Sequence, residues 1–220
     1  MEYQIDKDQT TEDVLGNMEL TGKRVLVTGA SAGLGLETSR ALAVRGARVV
    51  GAVRDMDKGG AAIAQLGSPV SGNVELIELD LASLKSVRQC ANALLVKGEP
   101  FDVIICNAGV MATPKGVTQD GFETQFGVNH LGHFLLVNLL IPLLRPGSRV
   151  VILSSMGHRL ADIDLDDPNF EGRPYDEWAS YGGAKTANIL FAGTSACAIA
   201  ASGWPLSTPA WSPTPRSRAI

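Results

Sequence analysis

Short blocks of β-branched and aliphatic residues alternate along this chain with longer stretches whose apolar positions recur every three or four residues. The first pattern predicts strands buried on both faces; the second predicts amphipathic helices. Lys23–Val27 reads as a first strand running into a glycine turn, and 35–45 as a helix stopped by Gly46. Ala47–Val53 and Val74–Leu79 are the second and third strands, with a helix over 58–66 between them. Ser83 should cap a helix reaching about Lys97, and Asp102–Cys106 follows as a fourth strand. The apolar stretch 126–144 predicts a long helix ending near Pro146-Gly147, then a fifth strand over 149–153. A polar, acidic insertion, 156–179, precedes a last helix from Ser180 to about Ala192.

Regular alternation of strands and helices predicts an α/β fold, a doubly wound parallel sheet in a single domain. The domain should span 20–192, with an N-terminal arm over 1–19. Composition changes at Gly193: from there to Ile220 the chain has no Asp, Glu or Lys, four prolines and two of its three tryptophans. The expectation for 193–220 is a disordered tail.

The chain has 220 residues, enough for one α/β domain with a sizeable core. A net charge of −4 and a pI near 5.4 give no electrostatic footprint for nucleic acid. Cys90, Cys106 and Cys197 form no spaced pair, which fits reduced, buried thiols in a cytoplasmic protein. The polar, acidic start is no secretory signal. The run Phe134–Leu144 is too short to span a bilayer, so no membrane anchor is expected.

Three islands carry chemistry: Thr28-Gly29-Ala30-Ser31-Ala32-Gly33-Leu34-Gly35, Asn107-Ala108-Gly109, and Tyr181-Gly182-Gly183-Ala184-Lys185. The first joins a strand to a helix, so free N–H groups at the helix start can hold a pyrophosphate. Gly29 allows the tight turn, Gly33 the approach of phosphate, and Gly35 close packing of helix on strand. Arg54 follows the second strand, where an arginine suits a 2′-phosphate and an acid suits a ribose hydroxyl. That favours NADP, with NAD as the alternative because Asp55 stands next to it; a solvated strand-end arginine is the plainer reading of Arg54. Tyr181 and Lys185 lie one helical turn apart on one face. A neighbouring ammonium favours phenolate, which lets a tyrosine exchange a proton with a carbonyl or alcohol oxygen. His130 and His133 share a helix face but lack a third ligand at useful spacing, so no metal is expected.

These islands, in this order and spacing, resemble the short-chain dehydrogenase/reductase family, most closely the subgroup of retinol dehydrogenases and WW-domain oxidoreductase-like enzymes. The resemblance covers about 20–192. It implies hydride transfer between a nicotinamide cofactor and a small alcohol or carbonyl substrate. It also implies that Ser155 bonds the substrate oxygen, that Lys185 binds the ribose as well, and that Asn129 holds a water linking Lys185 to solvent. Asp80-Leu81 would contact the adenine and Asn107-Ala108-Gly109 pack under the cofactor. For Asp80 a helix N-cap is an equal alternative, and for Asn129 a helix-interior amide bonded to a backbone carbonyl. In the family the long apolar helix packs against its twin in a homodimer or within the core. The sixth strand and substrate lid that the family places after the last helix are not visible in 193–220, as a truncated or frame-shifted chain would read. The rival expectation is therefore a catalytically weak nucleotide-binding protein.

Overall fold

The computed structural model describes residues 8–68 and 70–201. Five parallel strands form one sheet: β1 (Arg24–Thr28), β2 (Arg48–Val53), β3 (Val74–Glu78), β4 (Phe101–Cys106) and β5 (Leu144–Ile152). Their spatial order is β3-β2-β1-β4-β5, so the direction of winding reverses between β1 and β4. In open α/β sheets the crevice beyond the carboxyl ends at that reversal is where ligands bind. The helices are α1 (Thr11–Leu15), α2 (Gly33–Val44), α3 (Met56–Ala64), α4 (Leu84–Lys97), α5 (Thr124–Leu143) and α6 (Glu177–Ala201).

Both faces of the sheet are covered, as continuous apolar strands require. Leu26 and Ile104 point to one face, under Leu94 of α4 and Leu136 and Leu140 of α5. Val25, Val27 and Val49 point to the other, against Ala43 of α2. The Ser83 hydroxyl caps α4 by accepting from the Ser86 N–H, as the sequence predicts.

Three expectations change. The helix α5 ends at Leu143, and Pro146-Gly147 lies inside β5 instead of marking the helix end. Residues 145–148 bulge out of the pairing with β4, Gly147 takes a φ of +89°, and the Ser148 hydroxyl donates to Phe101 O in place of a ladder bond. Second, α6 starts at Glu177 and runs through Gly193 to Ala201, so the composition change is no helix boundary. One interior glycine costs a helix only about 1 kcal/mol. The rest of the expected tail, 202–220, lies outside the described residues, as does most of the expected N-terminal arm's first half. Third, the helical run around the apolar stretch is 20 residues long, with mean hydropathy 1.4, enough to cross a bilayer by length and composition. Half of it is buried within this domain, where it forms the floor of the core.

Candidate active site

Every predicted island reaches the carboxyl edge of the sheet. After β1 the chain turns at Gly29 (φ +73°) and enters α2 at Gly33 (φ +53°). Ala32 offers no side-chain cap, so the first N–H groups of α2 stay open to a ligand. A methyl group at Gly33 would meet nothing within 4 Å; one at Gly35 would lie 2.2 Å from Gly29 O and 2.5 Å from Asn107 Nδ2. Thus Gly33 borders open space and Gly35 seals helix against turn. Ser31 is half-buried, and Leu34 stands exposed at the rim. An anion fits this cradle of backbone dipoles.

Two members of the predicted nucleotide set face inward instead. The Thr28 side chain is fully buried, and its hydroxyl accepts the N–H groups of Asn107 (2.9 Å) and Ala108 (3.0 Å). Asn107 Nδ2 returns a bond to Thr28 O at 2.9 Å. Thr28 therefore staples β1 to the end of β4. Leu81 packs in the core beneath Gly132, where a methyl group would lie 2.8 Å from Leu81 O. Neither side chain faces open space. Asp80 is no helix cap: Ser83 fills that place, and Asp80 Oδ1 accepts the Ala82 N–H while Oδ2 takes Gln119 Nε2 at 3.5 Å. Arg54 is exposed at the end of β2 and has no ion pair among the described residues, while Asp55 Oδ1 caps α3 by accepting the Lys58 N–H at 2.9 Å.

The chemical residues converge around two glycines. A methyl group on Gly157 would lie 2.7 Å from Tyr181 Cε1 and 3.5 Å from Ser155 Oγ. One on Gly109 would lie 3.0 Å from Asn129 Oδ1 and 3.8 Å from Lys185 Nζ. Lys185 Nζ sits 5.6 Å from the Tyr181 ring centre. Tyr181 and Lys185 are both buried, and burial pulls the Lys185 ammonium below the usual lysine range. Its Nζ donates to Leu153 O at 3.1 Å. Ser155 Oγ accepts the Gly157 N–H, which aims the hydroxyl along the short helical turn that follows β5. Ser154 instead donates to Lys185 O, tying strand to helix. Asn129 is fully buried in a π-turn, Gly127–Leu131, inside α5. Its Oδ1 accepts the Val110 N–H and its Nδ2 donates to Val110 O, each at 2.8 Å. It does bond a backbone carbonyl, but that of the loop after Gly109, not its own helix.

Two groups escaped the sequence reading. Asn188 is buried on the Lys185 face of α6, and its Nδ2 donates to both Asn129 O (3.2 Å) and Leu153 O (3.1 Å). Its spacing, three residues past Lys185, was the available signal. Glu123, almost fully buried, caps α5: its carboxylate accepts the N–H groups of Gln125 and Phe126. The Tyr175 hydroxyl lies 2.9 Å from Thr113 O and 3.2 Å from Glu123 Oε1, which binds the 156–179 insertion to the loop after β4. An acid just ahead of an apolar helix was its signal. His130 lies among Phe126, Phe134 and Phe191, with Nδ1 donating to Asn188 Oδ1.

With this geometry in view, comparison with known proteins defines the class. The short chain dehydrogenase family model matches residues 23–165. The chain belongs to that family. Human retinol dehydrogenase 13 is 47% identical over 175 residues, covering 78% of this chain and 53% of its own length. An uncharacterised protein from Mycobacterium paratuberculosis superposes with a TM-score of 0.78 at 45% identity, over 85% of this chain and 66% of that one. The NADP active-site complex of Pseudomonas aeruginosa RhlG superposes at 0.65 with 26% identity, over 83% and 69% of the two chains. The chain spans about half the length of the curated relatives it matches.

Proposed function

We propose that this chain catalyses hydride transfer between NADP(H) and a small alcohol/carbonyl pair, with Tyr181 as the general acid/base. The observation that carries the reading is the convergence of Ser155 and Tyr181 on Gly157, beside Lys185 and Asn129 at Gly109. The nicotinamide, when bound, supplies or takes the hydride. Everything else falls to the protein. The open N–H groups of α2 hold the pyrophosphate, and Gly33 leaves room for it. Ser155 Oγ donates to the substrate oxygen, and the Tyr181 hydroxyl gives that oxygen its proton in reduction or takes it in oxidation. Lys185 places its ammonium 5.6 Å from the tyrosine ring centre, on the proton's path. Its remaining donors serve a ribose hydroxyl and the water route along Asn129.

NADP over NAD is supported by Arg54, which is exposed and has no ion pair among the described residues, and by Asp55, whose carboxylate is occupied capping α3. The NADP complex of RhlG, a structural relative, agrees with that choice. The test pairs NADPH oxidation across a panel of aldehydes and ketones with fluorescence titration of NADPH. Tyr181→Phe should abolish turnover and leave nucleotide affinity unchanged. Normal turnover in that variant refutes the assignment.

A further inference from the structure

The two halves of the site are joined by a residue that the reaction does not use. His133 is 1% exposed and lies four residues after Asn129 on the same side of α5. Its Nε2 is 2.9 Å from Thr28 Oγ1 and its Nδ1 is 3.1 Å from Asn129 O. The hydrogens can be assigned by accounting. Thr28 Oγ1 already accepts two N–H groups, from Asn107 and Ala108, so both lone pairs are used. Its own proton must go outward, and Nε2 at 2.9 Å is nearer than Ile105 O at 3.5 Å. Nε2 is then the acceptor, and the ring proton sits on Nδ1, where it is donated to a carbonyl that can only accept. Burial, opposed only in part by the bond to Asn129 O and reinforced by the nearby Lys185 and His130, pushes the ring pKa down to about 4. The imidazole is therefore neutral at working pH, as a single-tautomer bridge requires.

We infer that His133 is a positioning residue: its Nδ1–H tautomer bridges the nucleotide-side turn to Asn129, so that the Asn107–Gly109 strand end and the Asn129 amide hold one fixed register. The bridge is closed from both sides. The Asn129 amide clasps Val110, three residues beyond the Asn107 N–H that Thr28 holds. The effect on turnover rests on the role given to Asn129 above; the bridge itself does not.

The two ends can be cut separately. His133→Asn places an amide nitrogen near Nδ1 and keeps the donor to Asn129 O, but abandons Thr28. His133→Gln places its terminal group near Nε2 and keeps a partner for Thr28, but abandons Asn129. Amide hydrogen exchange on the full chain reads each end. Protection at Asn107 and Ala108 should fall about tenfold in the Asn variant, and at Val110 by about the same in the Gln variant, the size of one hydrogen bond. Equal losses at all three amides in both variants, or none, would overturn the bridge. Imidazole 15N NMR of the unaltered protein is the check that needs no variant: an Nε2–H tautomer or a charged ring at pH 7 also overturns it. Kinetics separate the two proposals. The Gln variant should lose turnover with nucleotide affinity kept, and the Asn variant the reverse. A split exchange pattern in a protein with no turnover sustains the bridge and removes the catalytic reading.

Discussion

Gly35→Ala and Gly60→Ala make the same chemical change inside two helices of this protein, and the structure assigns them opposite signs. Replacing an interior helical glycine with alanine contributes about 1 kcal/mol of stability when nothing interferes. At Gly60, on α3, the new methyl group would meet nothing within 4 Å, so the gain should appear nearly in full. At Gly35 the methyl group would lie 2.2 Å from Gly29 O, 2.5 Å from Asn107 Nδ2 and 2.8 Å from Gly29 C. Carbon and oxygen pack at roughly 3.3 Å or beyond, so α2 must move off the turn by about 1 Å. Overpacking of this kind costs about 1–3 kcal/mol, and displacing Asn107 from Thr28 O forfeits about 1 more. After the helical gain is subtracted, Gly35→Ala should lose about 2 kcal/mol. In a domain of this size that lowers Tm by roughly 4–8 °C, against a rise of roughly 2–4 °C for Gly60→Ala. Urea and thermal melts followed by circular dichroism give both numbers. Moving α2 also displaces its open N–H groups, so Gly35→Ala should bind NADPH poorly. If it proves as stable as Gly60→Ala, the close seating of α2 on the glycine turn is wrong.

Arg54→Ala should weaken NADPH about tenfold in a fluorescence titration and leave NADH unchanged; equal losses for both would remove Arg54 from the 2′-phosphate. Gly157→Ala drives a methyl group into the Tyr181 ring, 2.7 Å from Cε1, so turnover should fall at least tenfold while NADPH affinity holds, and an unchanged kcat would show that the ring needs no such contact. His133 gives the fold a pH limb. Its native pKa, about 4, lies below the ordinary 6.5, so the unfolded chain takes the proton first as pH falls. Its contribution is whole above pH 6.5 and is lost between there and about 4, amounting to about 2 kcal/mol from pH 7 to pH 5. Urea midpoints at those two pH values should show this slope, and His133→Gln should flatten it.

What the sequence disclosed follows from range. Strands such as Arg48–Val53 and the Ser83 cap are set by neighbours in the chain, and so is the shared face of Tyr181 and Lys185. The Thr28–His133 contact joins residues 105 apart, and no local pattern announces it. The buried posture of Thr28 and Leu81 has the same cause: a motif names residues at a ligand's edge but not which of them turn inward. The Pro146-Gly147 pair is a breaker in either setting, and only pairing with β4 decides that it bends a strand. Gly193 looked like a stop because the polar composition beyond it changes, although one glycine is too weak a penalty to end a helix already running.

Among the described residues β5 is the outermost strand on its side, paired only with β4, and Val151 near its end is 44% exposed. Yet Leu153, the next residue after this strand, accepts the Lys185 ammonium and the Asn188 amide, and Ser154 and Ser155 follow at once. The β1 turn, by contrast, lies between β2 and β4. Sub-global opening begins where a strand has one neighbour, so rising denaturant should release the end of β5, with its ties to Lys185 and Asn188, before the central glycine turn after β1. If the function proposed above holds, mild stress should produce a form that still binds NADPH but has lost turnover.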